Sequence, residues 1–573
     1  MSYKAFPDLV FRGKFYPSEK ICNSASYDVI LITGDAYADH PAFPAAVLYR
    51  LVESYGYSCG IIAQPDWNND NDFKALGEPK LCFLIAPGAM DSMISNYTAN
   101  KMPRKIDRLS PDDKAGLRPK RTAYVYSNKL RELFPTSKII TGGIEASLRR
   151  YPHYDFWQDS MKYPILHDIP CDLLIYGMAE SALERVLKTL EMSNPLLNLP
   201  QTAIKLKSGD YKSLFSGQSV KVESSEELMT DKTLYLKRSC QINTENLVYC
   251  DEAIQVIEHK KGDIVIFPGK KSDTLSEMTN LYKLRFQRLS HPIYEKPISA
   301  LLPVQFSIQT HRGCLGTCSF CAIRLHQSGI IRSAPEEEIL KLAESFKEHP
   351  DYKGIIPDVG GPAANMYGWN CRVGWCKINN CIRSDGTYCK NLQHSLNPIT
   401  ELLKKLHQVP GVRKAFIGSG FRYDLIGEND WDDFAYILKH HISGQLKVAP
   451  EHFNKQVLTY MAKAPEGNYT KFSEKFKEIT AKNGKKLYLI PYLMTAFPGS
   501  DEQKDQELID YVKKHKLPHQ QIQEFTPSPG TIATAMYYTE MDQELNKIKV
   551  KKNSSARLQT RKKLQNRKPK RKK

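Results

Sequence analysis

Three cysteines fall within eight residues in the stretch His311-Arg312-Gly313-Cys314-Leu315-Gly316-Thr317-Cys318-Ser319-Phe320-Cys321. This C-x3-C-x2-C run puts three thiols on one tight loop. Three thiolates suit a [4Fe–4S] cube with one iron left open to a substrate or cofactor, because such clusters are held by cysteine sulfur. Gly313 and Gly316 free the backbone to wrap closely, and Phe320 is placed to shield the site from water. Spacing alone leaves two other readings, a structural zinc and three unrelated buried cysteines. Closed zinc sites take four ligands in short paired spacings, and no fourth lies inside this loop.

The surroundings favour the cluster. Residues 305–310 read as a strand that the cysteines follow, and Ser333-Ala334-Pro335-Glu336 reads as a capping box opening a helix. From residue 300 a βα rhythm recurs six times. Strands are expected near 303–310, 353–358, 413–418, 443–448, 485–491 and 518–525, with helices among them at 398–408, 431–440 and 501–515. Six such units make a partial barrel, whose strand C-terminal face carries the active residues.

The phrases HRGCLGTCSFCAI, HQSGIIRS (326–333), DVGGPAANMYG (358–368) and TLSEMTNLYKLRFQRLSHPIY (274–294) resemble the YgiQ-like family of the radical S-adenosylmethionine superfamily. The resemblance covers most of residues 25–540. It implies an enzyme whose open iron chelates S-adenosylmethionine. One electron then breaks the sulfonium, and the 5′-deoxyadenosyl radical takes a hydrogen atom from a substrate. It also implies an electron donor such as flavodoxin or ferredoxin. Gly360 and Gly361 match the superfamily's glycine turn at the cofactor's methionine end, although Pro362 replaces the acid usual after it. Ser419, in the stretch Gly418–Asp424, is placed for ribose or carboxylate contact. Ala449-Pro450-Glu451-His452 with VLTYMAK (457–463) resembles a G-x-E-S…L-x-x-M-x-K stretch, which makes Glu451 a better cofactor-binding candidate than His452. Loops 495–503 and 525–536 resemble those of methylthiotransferases that modify transfer RNA or a ribosomal protein.

A second set, Cys371, Cys376, Cys381 and Cys389, falls in a Cys-rich insert at 363–396, and four thiols there suit an auxiliary iron–sulfur cluster or a zinc. Cys59, Cys82 and Cys171 lie in or beside apolar strands and read as buried hydrophobes.

Upstream, residues 25–195 alternate apolar strands (27–33, 57–63, 80–88, 138–143, 171–177) with helices, as a parallel doubly wound sheet does. This α/β segment resembles the Rossmann-like cobalamin-binding domain that precedes many radical barrels. Asp35, Asp39 and His40 do not make its D-x-H-x-x-G signature, so no cobalamin is expected here. Residues 1–24 read as an N-terminal extension, 196–295 as an irregular, β-rich linker, 296–540 as the barrel, and 541–573 as a basic disordered tail.

The formal charge of +18 is concentrated in that tail. Residues 547–573 hold 14 Lys and Arg and no acid, so 18 less 14 leaves +4 for residues 1–546. Such a tail suits RNA or ribosome binding through phosphates, or solubility alone. Thirteen cysteines in clusters fit a reducing compartment, and the lack of any run of 18 apolar residues fits a cytoplasmic protein with no membrane partner. Two alternatives to the radical enzyme with an RNA or ribosomal substrate remain. One is a cobalamin-dependent methyltransferase acting on a small molecule, the other a non-catalytic iron–sulfur redox sensor.

Overall fold

Val29–Thr33, Cys59–Ala63 and Cys82–Ala86 are buried at all five of their positions, as strands covered on both faces must be. They head a parallel array. Val29–Thr33 lies between the other two, and Ile139–Thr141 and Leu173–Ile175 continue beyond Cys82–Ala86. The order is 2-1-3-4-5, with its switch point between the first and third strands. The helix Thr122–Leu133 sets Tyr126 and Leu130 against Ile30, Ile32, Phe83 and Ile139 in one core. Cys59 and Cys82 are buried in the sheet, and Cys171 packs against the same core, as expected.

The computed structural model describes residues 5–18, 26–244, 253–270, 276–376, 380–383, 386–518 and 521–565. The chain forms two units. One lies within Met1–Lys232, Asn246–Gln305 and Leu325–Ser328, the other within Thr233–Glu245, Phe306–Arg324 and Gly329–Lys573.

In the first unit the sheet is larger than the 25–195 expected from sequence. Leu9–Phe11 pairs parallel with Cys59–Ala63 and antiparallel with Lys14–Tyr16, so the N-terminal extension is a sheet edge. At the other side Thr202–Leu206 runs antiparallel to Leu173–Ile175 and Asp263–Phe267, followed by Ile254–Ile257 and Ser219–Lys221. Residues 196–295 are therefore not a linker. Their strands are short and reverse direction, which hides them from a search for βα alternation. Residues 296–305, expected to open the barrel, belong here too. Ile298 packs with Ala36 and Tyr294.

The second unit holds the six parallel barrel strands in chain order. Ile308–Gln309 pairs with Val359–Gly360, and Ile355–Ile356 with Lys414–Ala415. Phe421 bridges to Val448. Gln445–Glu451 pairs with Tyr488–Thr495, which pairs with Ile522–Glu524. No pairing joins the last strand to the first among the described residues. The helices Asn397–Leu406, Trp431–His440 and Glu502–Lys514 fall where the periodicity places them. The capping box does not form. Ser333 is held in a strand with Oγ accepting from the Gly368 N–H, and the helix Glu336–Ser345 starts from Pro335 without a side-chain cap. Lys232–Thr244, inside the supposed linker, packs in this unit, where Asn243 Nδ2 donates to Gly530 O at 2.8 Å.

The basic tail is also built in through Gln565. A helix, Ser554–Gln565, buries Arg557, Thr560 and Leu564. Arg557 donates to Phe525 O, Arg561 pairs with Glu524 at 3.0 Å, and Lys551 and Thr560 both reach Asp505. Composition reads this segment as disordered because it counts cations without seeing the buried carboxylates that receive them. Residues 566–573 lie outside the described residues. No helix among the described residues is long and apolar enough to cross a membrane.

Candidate iron–sulfur and cofactor site

The three cysteines follow the first barrel strand on its C-terminal side. His311–Arg312 turns back onto Arg332–Ser333 as an antiparallel pair and closes the loop that carries them. Ser319 pins the middle of the loop. Its N–H donates to Met461 O at 3.0 Å and its hydroxyl to Tyr460 O at 2.7 Å, while its carbonyl accepts from Ala533 N at 2.9 Å. Cys321 N donates to Cys318 O at 3.0 Å, a tight turn that keeps the last two thiols together. Phe320 meets the buried Phe497 edge to face, with 6.2 Å between ring centroids.

Burial pushes the Cys321 thiol up to about 12, and Cys318 and Cys314 push it the same way. Burial likewise raises Cys314, against the pull of Arg422. Metal binding requires the thiolate form, so a metal held here would release the protons of the raised Cys314 and Cys321 thiols. Among the described residues no three His, Cys, Asp or Glu side chains converge as they would on a single ion. A cube places each sulfur on a different iron, so its ligands need not meet at one point. The donor set fits the cluster.

Arg422 was read from the sequence only as part of a loop for ribose or carboxylate. Its Nη1 lies 3.9 Å from Cys318 Sγ, while its Nε donates to Asp424 Oδ1 at 2.8 Å. The guanidinium is thus fixed by its own carboxylate and aimed at the sulfur of Cys318. It also explains Gly316: a Cβ there would stand 2.4 Å from Arg422 Nη1. Arg324 is a second cation the motif does not advertise. Burial depresses it, and Cys314, Cys381 and Cys318 pull it back. Nothing in the sequence marks an arginine as buried, so neither role was legible.

The other expected positions fall on the same face. Gly360 O accepts from Thr310 N at 2.7 Å, and Gly361 sits on the ring of the buried His311, which desolvation holds neutral with a pKa of about 3. Ser419 donates its hydroxyl to Asp358 at 3.0 Å, and Asp358 also accepts from the N–H groups of Gly418 and Ser419 at 2.8 and 2.9 Å. A cavity of about 400 Å³, large enough for a nucleoside-sized ligand, is lined by Ala363, Ser419, Arg422, Lys447, Val448 and Tyr492. Its wall ends at Ala449. Glu451 follows on a bulge with φ +68°, a strained conformation typical of functional sites. Burial raises the Glu451 carboxyl and Lys463 opposes the rise. His452 turns elsewhere, its Nδ1 accepting from Asn454 N at 3.0 Å.

A Cβ on Gly360 would lie 2.1 Å from Ser419 Oγ. Gly360→Ala is therefore expected to cost about 1–3 kcal/mol of stability through overpacking. Ser419→Ala, which removes that oxygen, should recover part of the loss in the double variant. Additive losses in urea titrations of the two singles and the double would contradict this geometry.

In the first unit, the crevice beyond the switch point holds a buried ion network. Arg118 bridges Asp35 and Asp107, and Asp35 Oδ2 accepts from Ala89 N at 2.7 Å. Asp39 receives Arg50, and His40 has Nδ1 on the Ala42 N–H and Nε2 3.1 Å from Arg288 Nη1.

Three kinds of likeness bear on this layout. A family model described as Radical SAM N-terminal matches residues 19–307. A UPF0313 protein of Methanosarcina acetivorans is 40% identical over 570 residues, covering 94% of this chain and 76% of its own. One from Clostridium botulinum (strain Okra) is 42% identical over 521 residues, covering 89% and 80%. Among solved structures, the radical S-adenosylmethionine methyltransferase TsrM from Kitasatospora setae, with cobalamin and a [4Fe-4S] cluster bound, overlays 88% of this chain and 76% of its own at 10% identity and a TM-score of 0.48, too loosely to argue from. The chain belongs to the UPF0313 family, YgiQ-like enzymes of the radical S-adenosylmethionine superfamily.

Proposed function

We propose that this enzyme cleaves S-adenosylmethionine reductively at a [4Fe–4S] cluster held by Cys314, Cys318 and Cys321, forming a 5′-deoxyadenosyl radical that attacks a substrate in the same cavity. The observation that carries this is Arg422, which both touches Cys318 Sγ and lines the 400 Å³ cavity, so the thiol loop and the cavity form one site. The cluster, when bound, supplies the electron that breaks the sulfonium bond. The chain's own part is to hold and orient. Ser419 and Lys447 line the cavity and would meet the cofactor's polar groups, the Gly360–Gly361 turn backs Ser419, Glu451 follows just beyond the cavity wall, and the Phe320–Phe497 contact would keep water from the loop. A flavodoxin or ferredoxin is the proposed electron donor. Adding S-adenosylmethionine to the anaerobically reconstituted, reduced protein should change the cluster's electron paramagnetic resonance spectrum. An unchanged spectrum would sink the open-iron assignment.

The expectation that the first unit holds no cobalamin gains nothing from the comparisons. Its support is the crevice, where Arg118 is already paired with Asp35 and Asp107. A corrinoid that separated these pairs would leave a charge buried without its partner, at about 3–5 kcal/mol. Gently purified protein should carry no stoichiometric corrinoid. Finding it would replace this reading with methyl transfer. An RNA or ribosome partner would rest on the other cations of residues 547–573, because Lys551, Arg557 and Arg561 are engaged with Asp505, Phe525 and Glu524 of the same chain.

A further inference from the structure

The insert after the second barrel strand folds into two nested pairings. Asn370–Cys371 runs antiparallel to Leu392–Gln393, and inside that pair Ile382 bridges to Tyr388. Cys389 N donates to Cys381 O at 2.9 Å, and Leu392 N to Cys389 O at 3.0 Å. These bonds bring Cys381 and Cys389 onto adjacent backbones and set Cys371 opposite a residue three positions from Cys389. Cys376 lies on the exposed side, while Cys371 and Cys381 are buried.

Their surroundings are apolar and continuous with the first site. Cys381 and Cys389 share one hydrophobic cluster with Trp369, Trp375, Leu315 and Cys314. Tyr388 donates to Asp424 O at 3.0 Å, and Asp424 is the residue that fixes Arg422 against Cys318. Core packing accounts for the buried Cys371 and Cys381 but not for the exposed Cys376.

We propose that Cys371, Cys376, Cys381 and Cys389 bind a second [4Fe–4S] cluster beside the first. Four thiolates match the four irons of a cube, so none of its irons is open to substrate. The x4 spacings sit at the long end of the short pairs of structural zinc sites, and the x7 spacing exceeds them.

The test is iron and sulfide analysis of the full chain after anaerobic reconstitution, with zinc measured on the same samples. Wild type should hold about eight irons, two cubes. Cys376→Ala/Cys381→Ala should lose half while keeping the spectral response to S-adenosylmethionine. The triple variant Cys314→Ala/Cys318→Ala/Cys321→Ala leaves the insert intact, and it should also keep half while losing that response. The second arm reads the new site even if the first variant misfolds. About four irons in wild type, none in the triple variant, or one zinc in place of the second cube would overturn the proposal.

Discussion

Ending the chain at Asn546 is expected to lower the melting temperature by about 10 °C or more relative to a chain ending at Gln565. The lost segment covers buried carboxylates. Asp505 is 3% exposed and holds Lys551, Thr560 and the Ser500 hydroxyl, and Glu524 is 6% exposed and holds Arg561. Stripping the partner from one buried charge costs about 3–5 kcal/mol. Exposing the site under Leu564 adds about 1.5–3 kcal/mol. At roughly 2–4 °C per kcal/mol for a unit of this size, the shift is large. It should take cofactor cleavage with it, because the helix covers the fifth and sixth barrel strands and the helix Glu502–Lys514. Equal melting temperatures for the two chains would return the segment to a solvated tail.

The second large effect is chemical. Cys318→Ala removes one of the three thiols proposed to hold the cluster and breaks its contact to Arg422, leaving the buried guanidinium on Asp424. The first site should lose its iron, and 5′-deoxyadenosine should fall to background, since a cube lacking a third protein ligand is not retained. Arg422→Gln should act more gently, lowering cluster retention or activity by about 10–100-fold, the usual effect of losing a partner that orients a metal ligand. Iron analysis and a single-turnover assay separate the two, and equal losses would mean that Arg422 holds up the fold rather than the thiolate.

The legible parts of this chain share one property, a local pattern that also decides the tertiary outcome. Apolar runs such as Val29–Thr33 and Cys82–Ala86 have nowhere to go but the middle of a parallel sheet, and the βα rhythm after residue 306 orders the barrel. The edges were hidden because their strands are short and partly exposed, as Lys14–Tyr16 and Ser219–Lys221 are. The C-terminal helix did leave a trace. Arg557, Thr560 and Leu564 recur at intervals of three and four, one face of a helix, but two of the three are polar and a search for apolar stripes passes over them. At the site, the cysteine spacing marked the thiol loop, while Arg422, Arg324 and His311 acquire their meaning only from burial. No local pattern in a single sequence records burial of that kind.

The central claim is that three thiols on one pinned loop hold a cluster that breaks S-adenosylmethionine. It is tested most directly by incubating the anaerobically reconstituted full chain with S-adenosylmethionine and dithionite and measuring 5′-deoxyadenosine. The account predicts its formation by wild type and its absence from the Cys314→Ala/Cys318→Ala/Cys321→Ala variant. Wild-type protein with a full complement of iron and no deoxyadenosine, or equal yields from the two proteins, would contradict it.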